Sequence, residues 1–514
     1  MEDIDIIFID PPMQKMEDDT FLYGNLYQPE ESARSRVFNP GVLSIASYLS
    51  YKSYNVKIKH ILKENEIALS IKELFEKYNP RVVAISCCYM HTYLPTIEIV
   101  KNIRQYYDGI VLEGGQHVAD IASFALAEME CDVVVRGEGE YAIEKILKML
   151  DGKKEINQIG NLCFTNNILK RFGGNENDFA LLETKDFVNE FEMRKLTSRD
   201  IYVSKFFEPL MKMDEMPFLK YDLYEDYLKY PPYLEESRGC YGKCKFCVSS
   251  ECNTYRFKTA ERFLDELEYV ISIYGKDNVI PFTAANFGVN VENTIKICEG
   301  IINKYGKLKW IAEFRLDLNW ERYVELMYKS GCVSFNIGLE SASPEILKIM
   351  KKTTDPIKYL NKANKLMDTI ISFPNANIHL NFMFYIGENA KSMADNMRFI
   401  SKYYKNIAAV HYSPVILYCG TDAWNEFDVY HELYGSTIVK KQIYDRMHAY
   451  PVNVSYMYSY YEGCVFSRMI EKMFLETEGY MLNHETRLSR DSDGNVDEDA
   501  KKAYIRRMME TSKK

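Results

Sequence analysis

The chain has 514 residues, with 64 Lys and Arg against 74 Asp and Glu and a formal net charge of −10. At about 150 residues per domain that length predicts roughly three domains, and 27% charged with 47% hydrophobic residues excludes disorder for most of the chain. The acidic balance, with no dense Lys/Arg block, argues against nucleic acid as a partner. No apolar run approaches 18 residues and the start MEDIDIIFID lacks a basic region, so the sequence predicts no membrane span, no signal peptide and a cytoplasmic protein.

Over residues 1–150, short β-branched runs at 5–9, 54–60, 82–86, 109–113 and 132–135 alternate with helical patterns such as 42–51 and 96–107. Such alternation predicts a parallel sheet with right-handed crossovers, a flavodoxin-like (Rossmann-type) α/β layer that meets ligands at the carboxyl edge of its strands. Gly137-x-Gly139-x-x-Ala142 follows a strand and opens a helix as a dinucleotide fingerprint would. It follows the fifth strand rather than the first, and no acidic residue ends a second strand about 20 positions on, so nicotinamide binding is not expected.

Residues 151–225 read as an irregular connecting segment with a small β element. From 226 to 430 the alternation resumes, with strands near 278–283, 309–314, 333–338, 378–385 and 409–416, and predicts a partial (β/α)6 barrel that starts at a cysteine cluster. Residues 431–514 are rich in Tyr, Met and charges and mostly helical in pattern. Within them, 490–502 reads as a solvated acidic turn, because its glycine comes too early for a calcium loop.

Of the twelve cysteines, Cys87, Cys88, Cys131, Cys163, Cys252, Cys298, Cys332, Cys419 and Cys464 are scattered, most in apolar runs where a thiol behaves as a small hydrophobe. Cys240, Cys244 and Cys247 fall together in ESRGCYGKCKFC. Zinc would want a fourth ligand at a recurring spacing, and none follows. An iron–sulfur cluster with three protein thiolates and one open iron fits that spacing better. Gly239 and Gly242 would allow the tight wrap.

This phrase resembles the hallmark of the radical S-adenosylmethionine (SAM) superfamily, a CxxxCxxC motif with an aromatic residue, here Phe246, before the last cysteine. The resemblance implies that Cys240, Cys244 and Cys247 hold a [4Fe–4S] cluster, that the backbone near Phe246 faces the adenine of SAM, and that reductive cleavage of SAM yields a 5′-deoxyadenosyl radical. It continues down the barrel: VIPFTAANFGVN (279–290) is similar to the second strand of the subgroup that also binds cobalamin. WIAEFRLDL brings Arg315 and Asp317, FNIGLESASPEILKIMKK brings Glu340, FMFYIGEN brings Gly387, and SPVILYCGTDA is similar to the sixth strand. These imply SAM contacts at Arg315, Asp317, Glu340 and Gly387. Ala284 and Ala285 stand where that subgroup usually has two acidic residues, which removes two carboxylates from the pocket.

The first 150 residues resemble the cobalamin-binding module of that subgroup through IDPP (9–12), NPGVLSIASYLS (39–50), EGGQHV (113–118) and VVVRGEGEYAIEKIL (133–147). The implied cobalamin contacts are Pro11, Ser86, Gly114, Gly115, Gln116, Gly137 and Glu138. The D-x-H-x-x-G motif that supplies a histidine to cobalt is absent, and His60, His91 and His117 are not expected to ligate it. The resemblance as a whole implies methylation of an unactivated carbon in a peptide, amino acid or small metabolite. The alternatives are a rearrangement or cyclisation with the same cofactors, or an enzyme whose cobalamin domain is degenerate. The substrate would sit between residues 1–150 and the barrel, with 431–514 closing the open side and an external flavodoxin- or ferredoxin-type protein supplying single electrons.

Overall fold

The computed structural model describes residues 1–14, 36–182, 201–248, 254–439 and 442–474, together with 477, 490, 496–499 and 501–502. Cys252, the basic stretch 193–196, and residues 491–495 and 500 of the acidic turn at 490–502 lie outside the described residues.

Five parallel strands, β1 (Glu2–Asp10), β2 (Val56–His60), β3 (Tyr78–Ser86), β4 (Ile110–Gly114) and β5 (Val133–Val135), pair in the order β2-β1-β3-β4-β5. The runs IIFI in β1 and VVAIS in β3 are buried on both faces, as central strands of a doubly wound sheet must be. The topological switch point therefore falls between β1 and β3, where the helix Pro40–Tyr51 starts. That start is sharply specified: Pro40 opens the helix and the Asn39 side chain accepts from the Val42 N–H.

The segment expected to be a connection with a small β element widens this sheet. β6 (Leu162–Thr165), β7 (Phe179–Leu182) and β8 (Ile201–Ser204) add antiparallel in the order β6-β8-β7 next to β5. From there to residue 233 the chain forms an aromatic joint, in which Phe38 stacks on Tyr230 at 4.7 Å and meets Tyr224 edge-on at 5.2 Å.

The second sheet begins with the two-residue strand β9 (Leu234–Glu235). A short antiparallel pair follows, β10 (Ser237–Arg238) with β11 (Arg256–Phe257). The remaining barrel strands are β12 (Ile280–Thr283), β13 (Trp310–Phe314), β14 (Cys332–Glu340), β15 (Asn377–Phe384) and β16 (Ile407–Pro414). They run parallel in the order β9-β12-β13-β14-β15-β16, six strands curved into the partial barrel. Amphipathic helices such as Ala260–Tyr274, Val291–Tyr305, Pro356–Ile371 and Ala390–Tyr403 return the chain between strands. One apolar core spans both sheets, from Phe8, Leu43 and Leu112 to Trp310, Phe335 and Phe382, while a second fills the far face of the first sheet.

The C-terminal segment carries the expected helices, including Phe427–Tyr434 and Tyr460–Lys472, and adds a three-stranded antiparallel sheet of β17 (Ile416–Tyr418), β19 (Ala449–Asn453) and β18 (Thr437–Ile438). It docks on the first domain: Met447 O faces His117 Nε2 at 2.8 Å, and His448 Nε2 lies 3.4 Å from Glu128.

Candidate functional site

The three clustered cysteines leave the barrel at the carboxyl end of β9. Gly239 turns the chain with φ +78°, and the loop then folds on itself: the Gly242 N–H donates to Cys240 Sγ at 3.3 Å and the Cys247 N–H to Cys244 O at 3.0 Å. A Cβ on Gly242 would lie 2.7 Å from Arg315 Nη1 and 3.3 Å from Cys240 Sγ, so only glycine fits there. The loop is held from outside by backbone bonds, Lys245 N–H to Met350 O at 3.0 Å and Ala423 N–H to Lys245 O at 2.9 Å. Lys245 Nζ also pairs with Glu426. The stretch that follows β17 thus grips the cysteine loop directly.

Arg315, at the end of β13, donates from Nη1 to Cys244 Sγ at 3.2 Å and from Nη2 to Lys352 O at 2.7 Å. It forks onto Asp317 through Nε and Nη2, each at 2.9 Å. Burial is the largest influence on Asp317 and would raise its carboxyl, but the guanidinium outweighs it and holds the carboxyl below the usual range. The Tyr241 hydroxyl reaches Asp317 at 3.3 Å. Glu340, the last residue of β14, has φ +65° at a register shift and receives Lys352 Nζ at 3.1 Å. Phe246 packs edge-on against Tyr385 at 5.9 Å, and Gly387 with φ +87° donates its N–H to Val454 O at 2.8 Å. Ala284 is half-buried and Ala285 exposed. Next to them Asn286, which sequence reasoning passed over, accepts the Arg315 N–H on Oδ1 at 3.2 Å.

In the first domain, Pro11, Ser86, Gly114 to Gln116, and Gly137 with Glu138 all fall on the carboxyl edge of the sheet. The register there is level, since Ser86 pairs with Gly114 and Gly114 with Val135. Gly115 takes φ +121°, and a Cβ there would sit 2.6 Å from the Cys87 carbonyl carbon and oxygen. A Cβ on Gly114 would meet nothing nearer than 3.7 Å. At the switch point Asn39 Nδ2 donates to Ser86 Oγ at 2.9 Å and to Asp10 Oδ1 at 3.0 Å, and the Tyr224 hydroxyl donates to Asp10 Oδ2 at 3.1 Å. Asn39, Asp10 and Tyr224 were not singled out from the sequence. Asn39 opens the NPG phrase and Asp10 lies in IDPP, whereas no phrase pointed to Tyr224.

Residues 235–400 match the family model for the radical SAM superfamily, and residues 31–147 match that for the B12 binding domain. The chain is a cobalamin-domain radical SAM enzyme. An uncharacterized methyltransferase of Pyrococcus horikoshii is 26% identical over 408 residues, 77% of this chain and 81% of that protein. The fold is shared with the radical SAM methyltransferase TsrM of Kitasatospora setae, at a TM-score of 0.61 and 14% identity over 86% of this chain and 78% of the other. It is also shared with the cobalamin-dependent SAM radical enzyme OxsB, at 0.64 and 15% over 91% and 66%.

A radical SAM domain works with a [4Fe–4S] cluster and SAM, and a B12 binding domain with cobalamin. The residues of this radical SAM enzyme fit those groups. Among the described residues no group of three or more His, Cys, Asp or Glu side chains is arranged to hold a metal ion. Two thiol sulfurs already accept N–H bonds, the type of outer interaction that tunes such clusters. His60 Nδ1 faces the Tyr230 hydroxyl at 2.7 Å and His117 Nε2 faces the Met447 carbonyl at 2.8 Å, and burial pulls His117 down to about 3. Among the described residues no helix is long and apolar enough to cross a membrane.

Proposed function

We propose that this enzyme methylates an unactivated carbon of a peptide, amino acid or small metabolite. Cys240, Cys244 and Cys247 are the cluster ligands in this reading. Phe246, Arg315, Asp317, Glu340 and Gly387 surround SAM, and Pro11, Ser86, Gly114, Gly115, Gln116, Gly137 and Glu138 border cobalamin. When bound, the cluster supplies the electron that cleaves SAM and cobalamin carries the methyl group.

The observation that carries this reading is the adjacency of the two sites. Arg238, two residues before Cys240, bonds Glu140 at the end of the Gly137–Gly139 loop at 2.8 Å, so the two cofactor edges face one another across the domain joint. The chain's own part is to hold and to exclude: Arg315 and the Gly242 N–H hold the thiol sulfurs, and the stretch that follows β17 holds the cysteine loop through Ala423 and Glu426. Ala284 and Ala285 themselves offer no proton-transfer group. A cytoplasmic setting with a flavodoxin- or ferredoxin-type reductant belongs to the same reading.

Anaerobically reconstituted protein should retain about one equivalent of cobalamin and, once reduced, convert SAM to 5′-deoxyadenosine. With its substrate it should also release S-adenosylhomocysteine. Cobalamin retention with 5′-deoxyadenosine but no S-adenosylhomocysteine would replace methylation by rearrangement or cyclisation, and failure to retain cobalamin would remove both.

A further inference from the structure

We infer that Arg238 is a positioning residue that locks the cobalamin-edge loop of the first domain to the cysteine loop of the barrel, so that order in either loop is transmitted to the other. Its guanidinium has acceptors from both domains. Nη1 donates to Glu140 Oε1 at 2.8 Å and lies 3.4 Å from Glu138 Oε2; Nη2 donates to Ser44 Oγ at 2.7 Å; Nε is shared by the two oxygens of Glu235 at 3.1 and 3.0 Å. Glu138 and Glu140 close the loop that follows β5, Ser44 lies on the helix beginning at the switch point, and Glu235 ends β9. Ser44 Oγ also donates to Glu140 Oε1 at 2.7 Å, which ties the two first-domain partners together. Arg256, paired with Arg238 across β10 and β11, forms a second ion pair to Glu138.

Physical chemistry makes this joint rigid. Arg238 and Glu140 side chains are 15% and 5% exposed, and a buried ion pair that loses one partner leaves an uncompensated charge. Burial is the largest influence on Glu140 and would raise its carboxyl, yet the guanidinium and its hydrogen bonds prevail and hold it below the usual range. Glu138 is pushed up by burial, which outweighs the Arg238 and Arg256 guanidiniums. The planar fork of arginine satisfies acceptors in three directions, a geometry that an ammonium cannot copy. From Arg238 the chain reaches Cys240 through Gly239 alone, so a displacement of the guanidinium is passed to the first cysteine with little slack. The alternative, that the network merely stabilises the interface, predicts local effects without transmission.

Amide hydrogen exchange on the full chain separates the two, before any cofactor is added. Arg238→Gln should speed exchange by about tenfold or more at 136–150 as well as at 236–248, and Glu140→Gln should do the same at both segments. Arg238→Lys, which keeps the charge and loses the fork, should fall between. Acceleration confined to the substituted side in both Gln variants would overturn the inference. Should either variant fail to fold, Glu138→Gln removes one acceptor and must still speed exchange at 236–248. The link to the cofactors rests on the proposed function: hydroxocobalamin should slow exchange at 236–248 in the wild type and lose that effect in Arg238→Gln. A wild type that retains no cobalamin would strike the functional reading, while the reciprocal exchange result would still decide the lock.

Discussion

Arg315 joins three parts of the barrel with one side chain: a cluster thiol, the Lys352 carbonyl and the Asp317 carboxylate. A guanidinium that is 8% exposed can sit there only because every face of it is paired. The sulfurs it helps to hold are the proposed iron ligands, and each removes a third of the protein's grip on the cluster when lost. Cys240→Ala, Cys244→Ala and Cys247→Ala should each lower iron far below four per chain after anaerobic reconstitution, whereas Cys87→Ala or Cys464→Ala should leave it unchanged. Glu340 sits at φ +65°, a conformation that costs a non-glycine residue about 1–3 kcal/mol and is retained where a side chain is needed. Glu340→Ala and Glu340→Gly should both weaken SAM binding by about 1–3 kcal/mol, the range for a lost charged hydrogen bond. The Gly variant should at the same time melt higher than the Ala variant. Calorimetric titration with equal affinity in all three proteins would refute the contact.

The turn after β4 contains two glycines with different duties. Gly115 needs its left-handed backbone and has the Cys87 carbonyl against it, whereas Gly114 has ordinary φ and a Cβ there would make only ordinary contact with Val135. Gly115→Ala should therefore destabilise the fold by more than about 1 kcal/mol in denaturant unfolding. Gly114→Ala should fold normally and retain less cobalamin, because its methyl group stands on the edge where the macrocycle is proposed to lie. Where three strands widen the first sheet the sequence predicted only a small β element, for a reason particular to them. β6, β7 and β8 have four residues each and lie at the antiparallel margin, where alternation over so short a run is hard to distinguish from a polar loop.

For the whole molecule, stability should depend on pH through carboxyls buried in the two cores. Glu113, 1% exposed in β4, is pushed up to about 8 by burial, offset slightly by the neighbouring Cys131 thiol. Burial likewise raises Glu236 to about 7 and Glu388 to about 8. A carboxyl raised in the folded state binds its proton more tightly than in the unfolded chain. Its stabilising contribution is therefore complete below about pH 4.5 and is lost as pH climbs to about 8. Glu113→Gln, which keeps the neutral shape, should melt like the wild type at pH 4.5 and higher than it at pH 8. At about 1.4 kcal/mol per unit the gain is at most about 5 kcal/mol. Melting curves whose difference does not widen with pH would contradict the burial argument.

The amino-acid sequence by itself determined the order of strands and helices in both halves and the place of the cysteine loop. These features are local: a period of strand and helix, a CxxxCxxC spacing and a proline after an asparagine act over a few residues, and their physics needs no distant partner. Tertiary structure alone decided which side chains meet. Arg238 reaches Glu140 across 98 positions and Asn39 reaches Ser86 across 47, while His117 meets the Met447 carbonyl across 330. Glu138, expected at the cobalamin edge, proved to share its carboxylate with Arg238 and Arg256 of the barrel domain. Such pairings follow from how two domains dock and which buried charges must then be neutralised. A linear spacing carries no record of that angle of docking, which is set by the packing of the shared core and the aromatic joint around Phe38.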